Sequence, residues 1–213
     1  MKGGARKGEG GMKMNEELKQ ELQERIALHG FLGSVFLTLP DKEFVDSLLS
    51  REWDQTESEG VNLIGAYATA MKDADVEEIL LDLGRDRARL IRGANNEGMP
   101  GAYESLFSDF KANEALGSLN RFYADTGFEL NPDVHDSGDA LGVEISFAQT
   151  LMEKELAALE EGDEEAAAQW AEVRDHFHEQ HLGRWAYKYA DSMEHFARTD
   201  FYRGIAHLIR ESV

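Results

Sequence analysis

Apolar residues recur every three or four positions along most of this chain, the spacing that lines one face of an α-helix. Leu18, Leu22, Ile26, Phe31, Leu32, Val35, Phe36 and Leu39 keep such a face through a first helix, and Pro40 stops it. Phe44, Val45, Leu48 and Leu49 mark a short second helix; Val61, Leu63, Ile64, Tyr67, Ala68 and Met71 mark a third. Asp75-Val-Glu-Glu78 has the form of a capping box opening a fourth, through Ile79, Leu80, Leu83 and Leu90, with Gly93 as its stop. A brief fifth carries Tyr103, Leu106, Phe107 and Phe110, and Asn113 is placed to cap a sixth that ends near Gly127.

"TGFELNPDVHDSGDALG" then gathers glycine, proline and aspartate into the longest loop-like stretch. Helical spacing resumes near Asp139 and runs to Glu161. After the acidic turn "EEGDEE" it covers 163–196, with a bend expected near Gly183. Thr199 caps a last helix carrying Phe201, Ile205, Leu208 and Ile209. No stretch alternates with the period of a strand. The pattern predicts an all-α fold, a multi-helix bundle of roughly nine to ten helices. It divides into a disordered tail (1–14), an N-terminal lobe (15–127), a hinge loop (128–138) and a C-terminal lobe (139–213).

Composition narrows the function. The 213 residues are 42% hydrophobic with three prolines, enough to bury a core without staples. The formal net charge is −20, and −23 once the +3 of the glycine-rich residues 1–13 is set aside. Such acidity argues against nucleic acid and anionic membrane and favours cationic partners. There is no cysteine, which removes disulfides, thiolate metal sites and thiol nucleophiles. No apolar run approaches the roughly 20 residues of a membrane span.

"DHFHEQHLGRW" is the one stretch that invites a metal or catalytic reading, with His176, His178 and His181 in six residues. A zinc-hydrolase helix needs its two histidines four apart. Here His178 and His181 are three apart, and His176 points roughly 160° away from His178 at about 100° per residue. Two ligands are too few for zinc. A di-iron bundle needs Glu-x-x-His on two helices, and none of the seven histidines follows a glutamate at that distance. Trp170, Val173, Phe177, His181 and Trp185 instead form one stripe, which predicts a core histidine bonded to a carboxylate or carbonyl. No phosphate loop and no nucleophile elbow occurs, so the reading is no enzyme, no catalytic residue, no metal and no required cofactor.

Two stretches carry a resemblance. "DLGRDRARLIRGANNEGMPGAYESLF" supplies Asp86, Arg89, Leu90, Gly93, Pro100, Tyr103, Glu104 and Ser105; "DALGVEISFAQTL" and the later "FHEQHLGRW" supply Asp139, Glu144, Phe177, His181, Leu182 and Trp185. In this order and spacing they resemble the TorD/DmsD family of cytoplasmic redox-enzyme maturation chaperones. One departure is plain: Ala140 stands where that family's hinge motif has histidine.

The resemblance implies a cytoplasmic chaperone that binds the twin-arginine signal peptide, and the apo form, of a molybdopterin-containing oxidoreductase subunit until its cofactor is inserted. It points to Asp139, Glu144, Arg89, Tyr103, Glu104, Ser105, His181 and Trp185 as client-binding residues. It leaves open whether a guanine nucleotide or the molybdenum cofactor binds, and whether the chain is a monomer or a homodimer. Physics alone keeps a bland reading beside it: Asp139 and Glu144 sit where acids cap or favour a helix start, and Arg89 and Glu104 suit structural ion pairs. Two rivals differ in class: an acidic helical scaffold for a folded partner, and a metal-dependent helical-bundle enzyme.

Overall fold

The computed structural model describes residues 5–107, 112–129, 131 and 134–213, of which 5–14, 112, 113 and 115 by backbone alone. Phe110 and the loop acid Asp133 lie outside the described residues. Among the described residues ten helices account for the architecture, and there is no strand. They are α1 (Ala5–Leu37), α2 (Lys42–Ser50), α3 (Glu59–Ala70), α4 (Val76–Leu90), α5 (Glu104–Phe107), α6 (Ala112–Thr126), α7 (Leu141–Glu161), α8 (Glu164–Gln180), α9 (Leu182–Phe196) and α10 (Asp200–Ser212). The all-α expectation holds. The helix α1 begins inside the glycine-rich stretch read from sequence as tail.

Local chemistry sets most boundaries. Asp41, Ser58, Asp75, Asp163 and Thr199 each accept a backbone N–H of the first turn that follows, satisfying a donor the helix itself leaves open. Asp75 bonds Glu77 N. Asn113 is not the cap expected of it, since its backbone is already helical within α6. Gly127 and Gly162 end α6 and α7 with φ of 68° and 77°, a conformation glycine adopts without a Cβ penalty.

The helix α7 is central. Leu141, Val143, Ile145 and Phe147 are all fully buried, and this spacing covers more than one face, so its first turns are surrounded by protein. It packs on α1 and α8, while α10 packs on α3 and α9. One hydrophobic core joins residues from before and after the 128–138 segment, among them Leu32, Phe36 and Leu83 with Phe147, Trp185 and Ile205. Arg87 is buried in it, donating to the carbonyls of Val35 (3.4 Å) and Phe36 (2.5 Å). Those are last-turn carbonyls of α1 without helical partners, the end of a helix where a cation is favoured.

Candidate functional site

Two segments far apart in sequence are clasped at the start of α7. Glu104 N donates to Asp139 O at 2.9 Å and Leu141 N to Ala102 O at 2.9 Å, forming an antiparallel bridge between Tyr103 and Ala140. Asp139 does not cap its own helix. Ala140 occupies that position and offers no side-chain bond, while the Asp139 carboxylate accepts from Ser137 Oγ (2.5 Å) and Ser105 N (3.4 Å). It therefore ties the start of α5 to the start of α7.

Beneath the clasp lies a buried polar network. Glu104, fully buried, accepts from His181 Nδ1 at 3.0–3.1 Å, and His181 Nε2 meets Ser118 Oγ at 3.0 Å. The carboxylate can only accept, so Nδ1 carries a proton; with the ring neutral, Ser118 donates to Nε2. His181 is the core histidine on a carboxylate that the apolar stripe predicts. It does not continue a bent helix, however: at φ −127° and ψ −95° it separates α8 from α9, two residues before the expected bend at Gly183.

Glu144 is strongly perturbed. Its Oε2 accepts from Trp185 Nε1 at 3.1 Å, and its Oε1 is buried without a partner. Burial, reinforced by the charges of Glu104 and Asp139, holds its carboxyl well above the usual carboxylate range, against the opposing effect of the Trp185 bond. Phe107 of α5 stacks on Trp185 (5.8 Å between ring centroids) and meets Tyr189 edge-on (5.6 Å). The phenol of Tyr103 accepts from Arg92 (3.0 Å) and donates to Asp136 (3.2 Å), closing the rim.

Seven of the eight residues singled out from sequence thus share one neighbourhood: Tyr103, Glu104, Ser105, Asp139, Glu144, His181 and Trp185. Arg89 stands apart. Its guanidinium pairs with Asp86 (2.7 Å) and Glu97 (2.5 Å) and donates to Phe196 O (3.0 Å). Asp86 in turn accepts from the backbone N–H groups of Arg198 and Thr199, so this pair anchors the turn between α9 and α10. Sequence reasoning missed Ser118, Ser137 and Arg92. Each is a lone polar residue in a polar stretch, and only the fold reveals its partner.

Glu104, His181 and Ser118 follow the order of a hydrolase triad, yet the arrangement lacks what that chemistry needs. Ser118 lies within α6, where neighbouring N–H groups are committed to helix carbonyls, so no pair of free donors faces an oxyanion there. Among the described residues no group of three or more histidine or carboxylate side chains is disposed to hold a metal ion, and no helix is long and apolar enough to cross a membrane.

Comparison with known proteins adds the decisive observation. A family model described as "Nitrate reductase delta subunit" matches residues 52–191, which is more than half of the chain and contains the whole clasp and its network. The chain belongs to the nitrate reductase delta subunit family. Members of this family, which falls within the TorD/DmsD-like group, are non-catalytic chaperones of molybdoenzyme maturation. No curated protein matches the chain.

Proposed function

We propose that this delta subunit family member is a cytoplasmic chaperone that binds the twin-arginine signal peptide of a nitrate reductase catalytic subunit. It holds the apo subunit until the molybdopterin cofactor is inserted, before export. The observation that carries the reading is the clasp itself: three buried carboxylates, Glu104, Asp139 and Glu144, gathered inside a −20 chain with Glu144 Oε1 unpaired. A twin-arginine leader offers two guanidinium groups and an apolar segment. Displacing the four-residue α5 uncovers Glu144, Trp185 and His181 together, giving the guanidinium its carboxylate and the apolar segment its aromatic wall. Tyr103, Ser105 and Asp139 form the edge of that opening, and Arg89 holds the neighbouring turn.

The energetics suit a chaperone that must let go. Burying roughly 400 Å² of leader apolar surface is worth about 10 kcal/mol gross at ~25 cal/mol per Å². Association and ordering costs consume much of it, leaving an affinity near micromolar.

The test is calorimetric titration of a client leader peptide into wild type, Asp139→Asn and Glu144→Gln, alongside a client lacking its leader. Binding of the peptide, weakened about tenfold or more by either substitution, supports the reading. Full-strength binding of the leaderless client would favour an acidic scaffold for a folded partner.

A further inference from the structure

Three segments meet at Arg92, just past the end of α4. Its Nη1 donates both to Asp136 Oδ2 in the 128–138 segment (2.8 Å) and to the Tyr103 hydroxyl ahead of α5 (3.0 Å). The Asp136 side chain is 7% exposed and that of Arg92 37%, so the acid is the fixed member of the pair and the cation the exchangeable one. The other oxygen of Asp136 accepts from the Tyr103 hydroxyl (3.2 Å) and from Ser137 N (3.0 Å). The Tyr103 ring lies close over Gly101, where a Cβ would fall 3.0 Å from Cε2 and 3.1 Å from Cδ2. Tyr103 also carries the backbone bridge to Ala140 that closes the clasp. The Arg92–Asp136 pair therefore latches the entry of α5 to the entry of α7.

We propose that Arg92 is a resident stand-in for a client arginine: a client guanidinium takes Asp136 from it, releases Tyr103 and so frees α5 to move. Both bonds of Arg92 leave from one nitrogen. An incoming guanidinium can instead offer its fork of two parallel N–H groups to both carboxylate oxygens. Taking the second oxygen displaces the Tyr103 hydroxyl, and the bridge to Ala140 loses its outer brace. A partly exposed ion pair is worth little, so a ligand of modest affinity suffices for the exchange.

The order of events follows from burial. Asp136 is reached first, at the rim, and Glu144, wholly buried, only after α5 has moved. One arginine of a client opens the clasp and a second finds the buried carboxyl. The inference rests on the leader reading for the source of the guanidinium, and on the geometry alone for the latch.

The clasp carries its own reporters, the backbone N–H groups of Glu104 and Leu141 that bond across it. Their hydrogen exchange is followed by NMR in the full chain, with amides of α3 and α10 as internal controls. Arg92→Gln should speed exchange at both by roughly three- to tenfold, through loss of the pair and of the hydroxyl bond it supports, and leave the controls unchanged. Arg92→Lys should stay near wild type, because one nitrogen is all the latch uses. Arg85→Gln, which removes the same charge from an exposed pair with Asp82, should not change either amide. The peptide Ac-Arg-Arg-NH2 should speed the two amides in wild type more than Ac-Lys-Lys-NH2 does at equal ionic strength, and Asp136→Asn should erase that difference. The diarginine should also bind Arg92→Gln more tightly, by about the factor by which that variant exchanges faster. Unchanged exchange in Arg92→Gln, or equal action of the two dipeptides on wild type, overturns the proposal. A diarginine that opens the clasp beside a client leader that fails to bind would uphold the exchange at Asp136 and sink the leader reading.

Discussion

Glu144 and His29 are both buried and both titrate away from their ordinary values, and they bias stability in opposite directions. Glu144 keeps its proton in the fold to higher pH than in an open chain, so above about 4.5, its ordinary value, the unfolded state binds fewer protons and stability falls as pH rises. Glu144→Gln, a neutral isostere, should remove that loss: its thermal midpoint should gain on wild type steadily above this pH, and parallel curves would show an ordinary carboxylate. His29, held at about 4 against 6.5, takes up its proton only when unfolded in between. Its burial therefore costs stability, roughly 2–3 kcal/mol, as pH falls across that window. His181 is a different case, since its worth lies in partners. His181→Ala leaves Glu104 buried and unbonded and should cost about 2–4 kcal/mol in denaturant unfolding, whereas Ser118→Ala removes one partly exposed hydroxyl and should cost about 1 kcal/mol or less. Near-equal costs would place the energy in the Ser118 bond instead.

Among the helices, α3 and α10 cross closely. A Cβ on Gly204 would lie 2.6 Å from Gly60 O and 2.7 Å from Ile64 Cγ1, and one on Gly60 would lie 2.8 Å from Gly204 O. Backbone cannot retreat as a flexible side chain can, so Gly204→Ala should part the helices and cost roughly 1–3 kcal/mol, read as a lower denaturant midpoint with an unchanged slope. This contact was not legible in the sequence, where Gly60 and Gly204 are two glycines among twenty. The helices were legible, because each announces itself over a single turn: Thr199 and Asp75 cap where their chemistry says they should. The break between α8 and α9 was hidden for the same reason. Phe177, His181 and Trp185 keep helical spacing straight across it, and the nearby glycine serves the His178 ring, not a bend.

At the scale of the whole molecule, the network under the clasp is a product of long-range pairing. Glu104 and His181 are 77 residues apart, Glu144 and Trp185 are 41 apart, and periodicity carries no information at such distances. Resemblance brought these residues into one group before geometry did, and it also drew in Arg89, whose family-matched position serves the α9–α10 turn. The gathered acids and the −20 charge make distinct claims on how a client arrives and how it is held. Charge spread over the surface steers a cationic leader from a distance, so added salt should chiefly slow association. The buried carboxyl acts only after arrival. Since burial raises the Glu144 carboxyl well above its ordinary range, pairing it with a guanidinium favours loss of its proton, and leader affinity should climb with pH across its titration by as much as about tenfold per unit. Glu144→Gln should flatten the leader's pH dependence while leaving its salt dependence intact, measured by stopped-flow association and calorimetry on the same peptide. A leader affinity that is flat with pH in wild type would mean that the guanidinium stays at the surface and Glu144 serves Trp185 alone.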